Sequence, residues 1–201
     1  MPEALWPPRT LHRFVDALST DLGQDTLSVV LEKAGLPPEW AHPEHLGPLD
    51  ELRSAQAYAR LQAALRTYYG RGARGILRRI GGKLWEPLLN DASFVLKSQA
   101  MFVRGMPSSL RRKPILDVLA RLLSVNDGDL TVHTLDLDLL LVDHASPTTQ
   151  GQSDPAPVCF VTQGLVREAL YWAVGEEHDI EETSCRAAGA TDCEFKITAG
   201  G

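Results

Sequence analysis

The sequence predicts an α+β fold in which N-terminal helices precede a small antiparallel sheet, with helices packed on one face of that sheet. Two changes in apolar spacing carry this prediction. Through most of residues 11–122, apolar side chains recur every three or four positions, which is the period of an amphipathic helix. After a turn at residues 126–129 the period becomes two, as in a strand. The sheet is therefore expected in the last third of the chain.

Residues 1–48 are predicted to form a separate N-terminal helical segment. The first helix presents one apolar face, made by Leu11, Phe14, Val15, Leu18 and Leu22. Asp25 can cap a second short helix, which Gly35 ends. Four prolines within residues 36–48 indicate a linker and place the domain boundary there. The segment is a candidate dimerisation arm, docking either on a partner subunit or on its own domain.

Residues 49–201 are predicted to form the second domain, beginning with three or four helices. One helix covers residues 49–69, and another covers residues 73–89 although it contains Gly81, Gly82 and Pro87. These glycines are expected to weaken the local structure. Residues 92–104 do not distinguish helix from loop, and a further helix starts at Ser108 or Ser109.

The strands follow in two pairs. Leu130–Thr134 and Leu135–Leu141 alternate apolar and polar residues, and the alternation changes phase at Thr134–Leu135, which predicts a bulge or break there. Residues 144–157 are rich in Pro, Ser, Thr, Gln and Gly and are expected to form a flexible surface loop. A helix over residues 159–174 then precedes two short strands, over residues 179–185 and 192–198.

Composition excludes several classes of protein. The net charge of −6 and the pI of about 5.5 argue against a general nucleic-acid binder, which needs a basic surface. No apolar run approaches the roughly 20 residues of a membrane-spanning helix, and the N-terminus lacks the apolar core of a signal peptide. Three cysteines are too few for a disulfide-rich secreted scaffold, so a cytoplasmic location is expected.

The most informative motif lies at the C-terminal end. Cys185 and Cys193 flank a turn at Gly189, so the two cysteines are expected to face each other across a hairpin. Cys193, Phe195 and Ile197 then share one face of the last strand, which predicts that Phe195 and Ile197 are core residues.

This C-terminal pattern, with Glu182 three residues before Cys185, resembles the end of the 4-vinyl reductase domain family. Residues 69–81 are similar to the glycine-rich helical entry of that family, and residues 157–164 are similar to the start of its last helix, so the resemblance covers about residues 50–198. It implies the fold of hydrocarbon-binding proteins and vesicle-tethering subunits. In related sensor domains of aromatic-responsive activators a zinc ion is bound, and the resemblance maps its ligands to Cys159, Glu182, Cys185 and Cys193.

The chemistry of these residues fits that implication, because zinc prefers four thiolate, imidazole or carboxylate ligands and a closed set of four is structural. Two alternatives remain open at this stage. The cysteines can be free thiols that merely pack in the core, or Cys185 and Cys193 can form a disulfide. Moreover, Glu182 and Cys185 lie on opposite faces of a regular strand and can share a metal only if the strand bends or bulges.

The function predicted from this resemblance is non-enzymatic binding of a small hydrophobic or aromatic molecule, since no catalytic motif is recognisable. Homodimerisation or a protein partner is expected to carry the output. An accessory role in chlorophyll or other tetrapyrrole metabolism and a structural adaptor without ligand are the alternative hypotheses. The candidate ligand-binding residues are aromatic or polar side chains of the family-like region, namely Trp85, Phe94, Phe102, His133, Tyr171 and Trp172.

Overall fold

Seven helices and four strands are found in residues 3–199, the part of the chain that the structure, a computed structural model, describes. The helices are α1 (Pro8–Leu22), α2 (Gln24–Lys33), α3 (Glu51–Tyr69), α4 (Ala73–Asp91), α5 (Phe94–Gly105), α6 (Arg112–Leu123) and α7 (Phe160–Val174). The strands are β1 (Leu130–Leu135), β2 (Asp138–Asp143), β3 (His178–Ser184) and β4 (Cys193–Ala199). The predicted α+β fold is confirmed, and the ambiguous segment 92–104 is the helix α5.

The four strands form one antiparallel sheet in the order β1-β2-β4-β3, and α7 is the connection between β2 and β3. The inner face of the sheet contacts the helices and buries Leu139, Leu141, Phe195 and Ile197. The predicted core positions Phe195 and Ile197 are thus confirmed. The opposite face carries polar side chains such as Glu194 and Lys196, so helices cover only one side.

The predicted irregularity at Thr134–Leu135 is wrong, because β1 continues in register to the Leu135–Asp138 pair. The chain reverses immediately after it, at Asp136 and Leu137, where Asp136 adopts a φ of +52°. Aspartate tolerates this left-handed conformation better than most residues do. The change of phase in the sequence therefore records a hairpin turn rather than a bulge.

The N-terminal segment packs on its own chain. Leu11, Phe14 and Leu18 of α1 are fully buried in a core that continues without interruption into α3 and α4. Two polar contacts join α1 to α4: Arg13 donates to Asp91, and Asp21 accepts from both Arg79 and Lys83. The domain boundary at residue 48 and the dimerisation arm remain predictions.

The Asp21 cluster provides a pH-dependent contribution to stability. Hydrogen bonding to Arg79, opposed by burial, lowers the pKa of Asp21 below its ordinary value of 3.8. A carboxyl with a lowered pKa stabilises the fold above its ordinary pKa, and that stability is lost as the pH falls below it. We expect Asp21→Asn to lower the free energy of unfolding by about 1 kcal/mol at pH 7 and by much less near pH 2. Urea unfolding at both pH values measures this, and an equal loss at both would contradict it.

Helices α4 and α7 cross at two glycines. A Cβ atom on Gly81 would lie 2.1 Å from the carbonyl oxygen of Val161, and one on Gly164 would lie 2.0 Å from the carbonyl oxygen of Arg78. The two backbones therefore approach more closely than any side chain would permit. The expectation that the glycines weaken this region is wrong for Gly81, because its missing side chain is what allows the tight crossing.

The segment 144–157 is only partly the surface loop that its composition predicts. Residues 146–149 are buried and form a short 3₁₀ turn against α3. The side chain of Gln62 on α3 donates a hydrogen bond of 3.0 Å to Thr148. This contact satisfies polar groups in the interior and explains why a polar sequence is buried here. No helix in the described part of the chain is long and apolar enough to cross a membrane.

Candidate metal centre and ligand-binding region

Four buried side chains converge between α7 and the β3–β4 hairpin. Cys159 immediately precedes α7, Glu182 lies on β3, Cys185 follows β3, and Cys193 begins β4. Each offers a ligand atom, and all four of these atoms lie within 4.8 Å of one another. The structure therefore brings together all four residues that the resemblance to the 4-vinyl reductase domain implied.

A bulge makes this convergence possible. The β3–β4 register is regular up to the Glu182–Phe195 pair, and it shifts between Glu182 and Ser184, which pairs with Glu194. As a result Glu182 and Cys185 are both buried, whereas Thr183 between them is exposed. The bend required for these two residues to share a metal is thus present.

The polar contacts of Glu182 are incomplete. Its Oε2 atom accepts a hydrogen bond of 2.9 Å from the backbone N–H of Cys159, and the side chain of Gln163 lies 3.4 Å from the same atom. Its Oε1 atom is buried and has no hydrogen-bond partner among the described residues. A buried carboxylate oxygen without a partner is costly, and a bound cation would remove that cost.

Burial sets the ionisation of the cluster. It raises the pKa of Glu182 to about 8 and the pKa of the Cys159 thiol well above its ordinary range. Hydrogen bonds from the Cys159 and Cys193 thiols lower the pKa of Cys185, so this residue is the preferred thiolate. A divalent cation would favour the deprotonated form of all four groups.

The sulfur positions fit a tetrahedral metal better than a disulfide. The Sγ atoms of Cys159 and Cys193 are 3.6 Å apart, and all three cysteines are free. Two sulfurs at about 2.3 Å from a tetrahedral zinc are separated by roughly 3.8 Å, whereas a disulfide bond measures about 2.05 Å. The backbone N–H of Arg186 also lies 3.3 Å from the Cys193 sulfur, an arrangement that supports a thiolate. The donor set therefore fits a four-coordinate metal of the zinc type.

The predicted ligand-binding residues fall into separate places. Trp85 on α4 is fully buried, and its ring meets that of Trp172 on α7 edge to face, with centroids 5.6 Å apart. The guanidinium of Arg104, on α5, lies 4.8 Å from the centre of the Trp172 ring. These two tryptophans are thus adjacent, and α5 covers them on one side.

The other four predicted ligand residues lie at the surface. Phe94 and Phe102 on α5 are 83% and 73% exposed and line an open groove between α5 and α6. His133 is exposed on β1, where it hydrogen-bonds to Thr131, and Tyr171 is half exposed on α7. The six residues therefore do not line one common cavity, and the roles of these four remain predictions.

Two features of the tryptophan pair are absent from the sequence prediction. The indole N–H of Trp85 is buried and has no hydrogen-bond partner among the described residues. In addition, α5 anchors itself by only two buried side chains, Ala100 and Val103. Neither an unpaired N–H nor a lightly packed helix has a sequence signature, because both depend on which distant side chains come near.

Comparison with known proteins identifies the C-terminal part. Residues 144–199 match the family model of the 4-vinyl reductase domain. The matched segment holds α7, β3, β4 and all four residues of the metal cluster. The resemblance to this family is confirmed there, although the match is shorter than residues 50–198. No curated protein matches the chain in sequence.

Solved structures extend the likeness to nearly the whole fold. An H-NOX protein from S. oneidensis, solved in the Fe(II)NO ligation state, superposes with a TM-score of 0.58 at 14% identity, covering 96% of this chain and 99% of that one. The phenol-responsive sensory domain of the transcription activator PoxR, solved with phenol, gives a TM-score of 0.50 at 16% identity and covers 71% and 74% of the two chains. Both likenesses show that this chain has a fold that also occurs in these domains.

Proposed function

We propose that this protein is a non-enzymatic module that binds a small hydrophobic or aromatic molecule, with a structural zinc ion at the C-terminal hairpin. The observation that carries the ligand-binding part is the buried indole N–H of Trp85, which has no partner among the described residues. A buried donor without an acceptor costs about 1–3 kcal/mol, and a ligand with a hydroxyl or carbonyl oxygen would recover that energy. The likeness to the PoxR phenol-responsive domain supports this choice of ligand chemistry.

Helix α5 acts as the cover of the proposed site. Its inner side contributes Ala100, Val103 and the Arg104 contact with Trp172, and its outer side is largely exposed. A helix with so few buried groups opens at low cost, so a ligand can be admitted by displacing it. Binding would then shift the population between covered and open positions of α5, which is the signal of a sensor.

Zinc would be held by Cys159, Glu182, Cys185 and Cys193 and would supply no catalytic chemistry, because all four positions are occupied by protein ligands. Its contribution would be to fix the start of α7 to the β3–β4 hairpin. Since α7 carries both Trp172 and the Gly164 crossing with α4, this attachment holds the tryptophan pair in place.

Phenol is the probe for the ligand-binding proposal. We expect the intrinsic tryptophan fluorescence to change saturably as phenol is titrated to millimolar concentrations. Trp85→Phe keeps an aromatic ring but removes the N–H, and it should weaken binding by about three- to tenfold. The matched control is Trp40→Phe, since Trp40 lies in a short 3₁₀ turn outside α4 and α7.

Thermal unfolding of each variant shows whether it remains folded. Equal phenol affinity in Trp85→Phe and the unaltered protein would contradict the proposed site, and the absence of any saturable change would contradict phenol-like ligands. A tetrapyrrole that co-purifies with the protein would favour the pigment-related alternative instead.

A further inference from the structure

Exposed apolar side chains concentrate on one part of the surface. Ten large hydrophobic residues are exposed among the described residues, and half of them lie between positions 94 and 110: Phe94, Val95, Met101, Phe102 and Leu110. We call residues 94–113 the α5 surface. An apolar cluster of this kind marks an interaction site, because isolated exposed hydrophobic residues would be scattered over the molecule.

The same segment is strongly basic. From Ala92 to Leu116 the chain contains five basic residues and no acidic one: Lys97, Arg104, Arg111, Arg112 and Lys113. This is opposite to the chain as a whole, whose net charge is −6. The nearest following carboxylate, Asp117, pairs with Lys113 at 2.9 Å. The α5 surface therefore combines apolar side chains with a local positive charge on an acidic protein.

The packing of α5 leaves its apolar side turned outward. Leu96 is only half-buried, and a groove of about 500 Å³ runs between α5 and α6. Pro114 and Val118 of α6 line the groove opposite Phe94 and Phe102. An amphipathic helix normally buries its apolar side, so this arrangement exposes surface that another phase or molecule would cover.

The charge of the surface selects its occupant. A second copy of the chain, bound through the same surface, would place two basic segments against each other without acidic residues to balance them. An anionic lipid surface offers both an apolar layer for the protruding rings and negative headgroups for the basic side chains. We propose that the α5 surface docks this protein peripherally on anionic membranes. This proposal is separate from the ligand site, which lies on the inner side of α5.

Vesicle sedimentation with the full chain, in the absence of phenol, tests the proposal. We expect binding to phosphatidylcholine vesicles that contain phosphatidylglycerol, little binding to phosphatidylcholine alone, and weaker binding at raised ionic strength. Phe94→Ser should reduce the partition coefficient by about tenfold, whereas the control Tyr68→Ser, another exposed aromatic substitution, should not. Lys97→Glu should reduce binding in the same way, with Lys33→Glu on α2 as its control.

Two results would overturn the proposal. One is no sedimentation with phosphatidylglycerol vesicles. The other is concentration-dependent self-association that Phe94→Ser abolishes while vesicle binding is unchanged, which would assign the surface to a second copy. Because phenol titration is measured without vesicles, the ligand proposal and the membrane proposal can fail independently.

Discussion

Cys185→Ser is expected to release the bound zinc and to lower the free energy of unfolding by roughly 3–5 kcal/mol. The substitution removes the thiolate of the preferred ionised cysteine, and the remaining two cysteines and Glu182 no longer form a closed set of four. Because the unfolded chain does not hold a preformed site, metal-binding free energy is folding free energy. Native mass spectrometry gives the zinc content, and chemical unfolding gives the stability.

Ser146→Ala is the matched control for this measurement. Ser146 is buried beside the cluster, with its Oγ atom 3.6 Å from the Cys159 sulfur, but it is not among the four ligands. It should retain one zinc per chain. A chelator should reproduce the loss seen in Cys185→Ser in the unaltered protein. If the purified protein carries no metal and Cys185→Ser costs only about 1 kcal/mol, the thiols merely pack in the core.

Gly81→Ala is expected to destabilise the protein by about 3 kcal/mol, although alanine is the better helix former. The new Cβ would lie 2.1 Å from the Val161 carbonyl oxygen and 2.9 Å from the Val161 carbonyl carbon, both of them backbone atoms. Backbone of a packed helix cannot move aside cheaply, so α4 and α7 must separate and lose contacts along their length. Since α7 carries Trp172, phenol binding should weaken as well.

The neighbouring residue supplies the control. A Cβ on Gly82 would meet the side chain of Glu168 at 3.6 Å and the Gly164 carbonyl oxygen at 4.0 Å, both of them ordinary contacts. Gly82→Ala should therefore be neutral or stabilising by up to about 1 kcal/mol, as expected from helix propensity. Equal effects of the two substitutions on the urea midpoint would show that the crossing does not depend on Gly81.

Several features could be predicted from the sequence because they depend on local patterns. The helical and strand periods indicated the α+β fold, and the helix over residues 159–174 is observed one residue shorter. The spacing of Cys185, Gly189 and Cys193, together with family resemblance, indicated the four residues that the structure brings together. Periodicity and turn residues report on neighbouring positions along the chain, and these patterns are visible without knowledge of the tertiary structure.

Other features were decided only by contacts between distant parts of the chain. The bulge between Glu182 and Ser184 brings Glu182 and Cys185 together, and the crossing of α4 and α7 gives Gly81 its role. The unpaired N–H of Trp85 and the outward apolar side of α5 also depend on what lies nearby in space. A sequence pattern shows which side chains share a face, but which backbone or side chain that face meets is set by long-range packing.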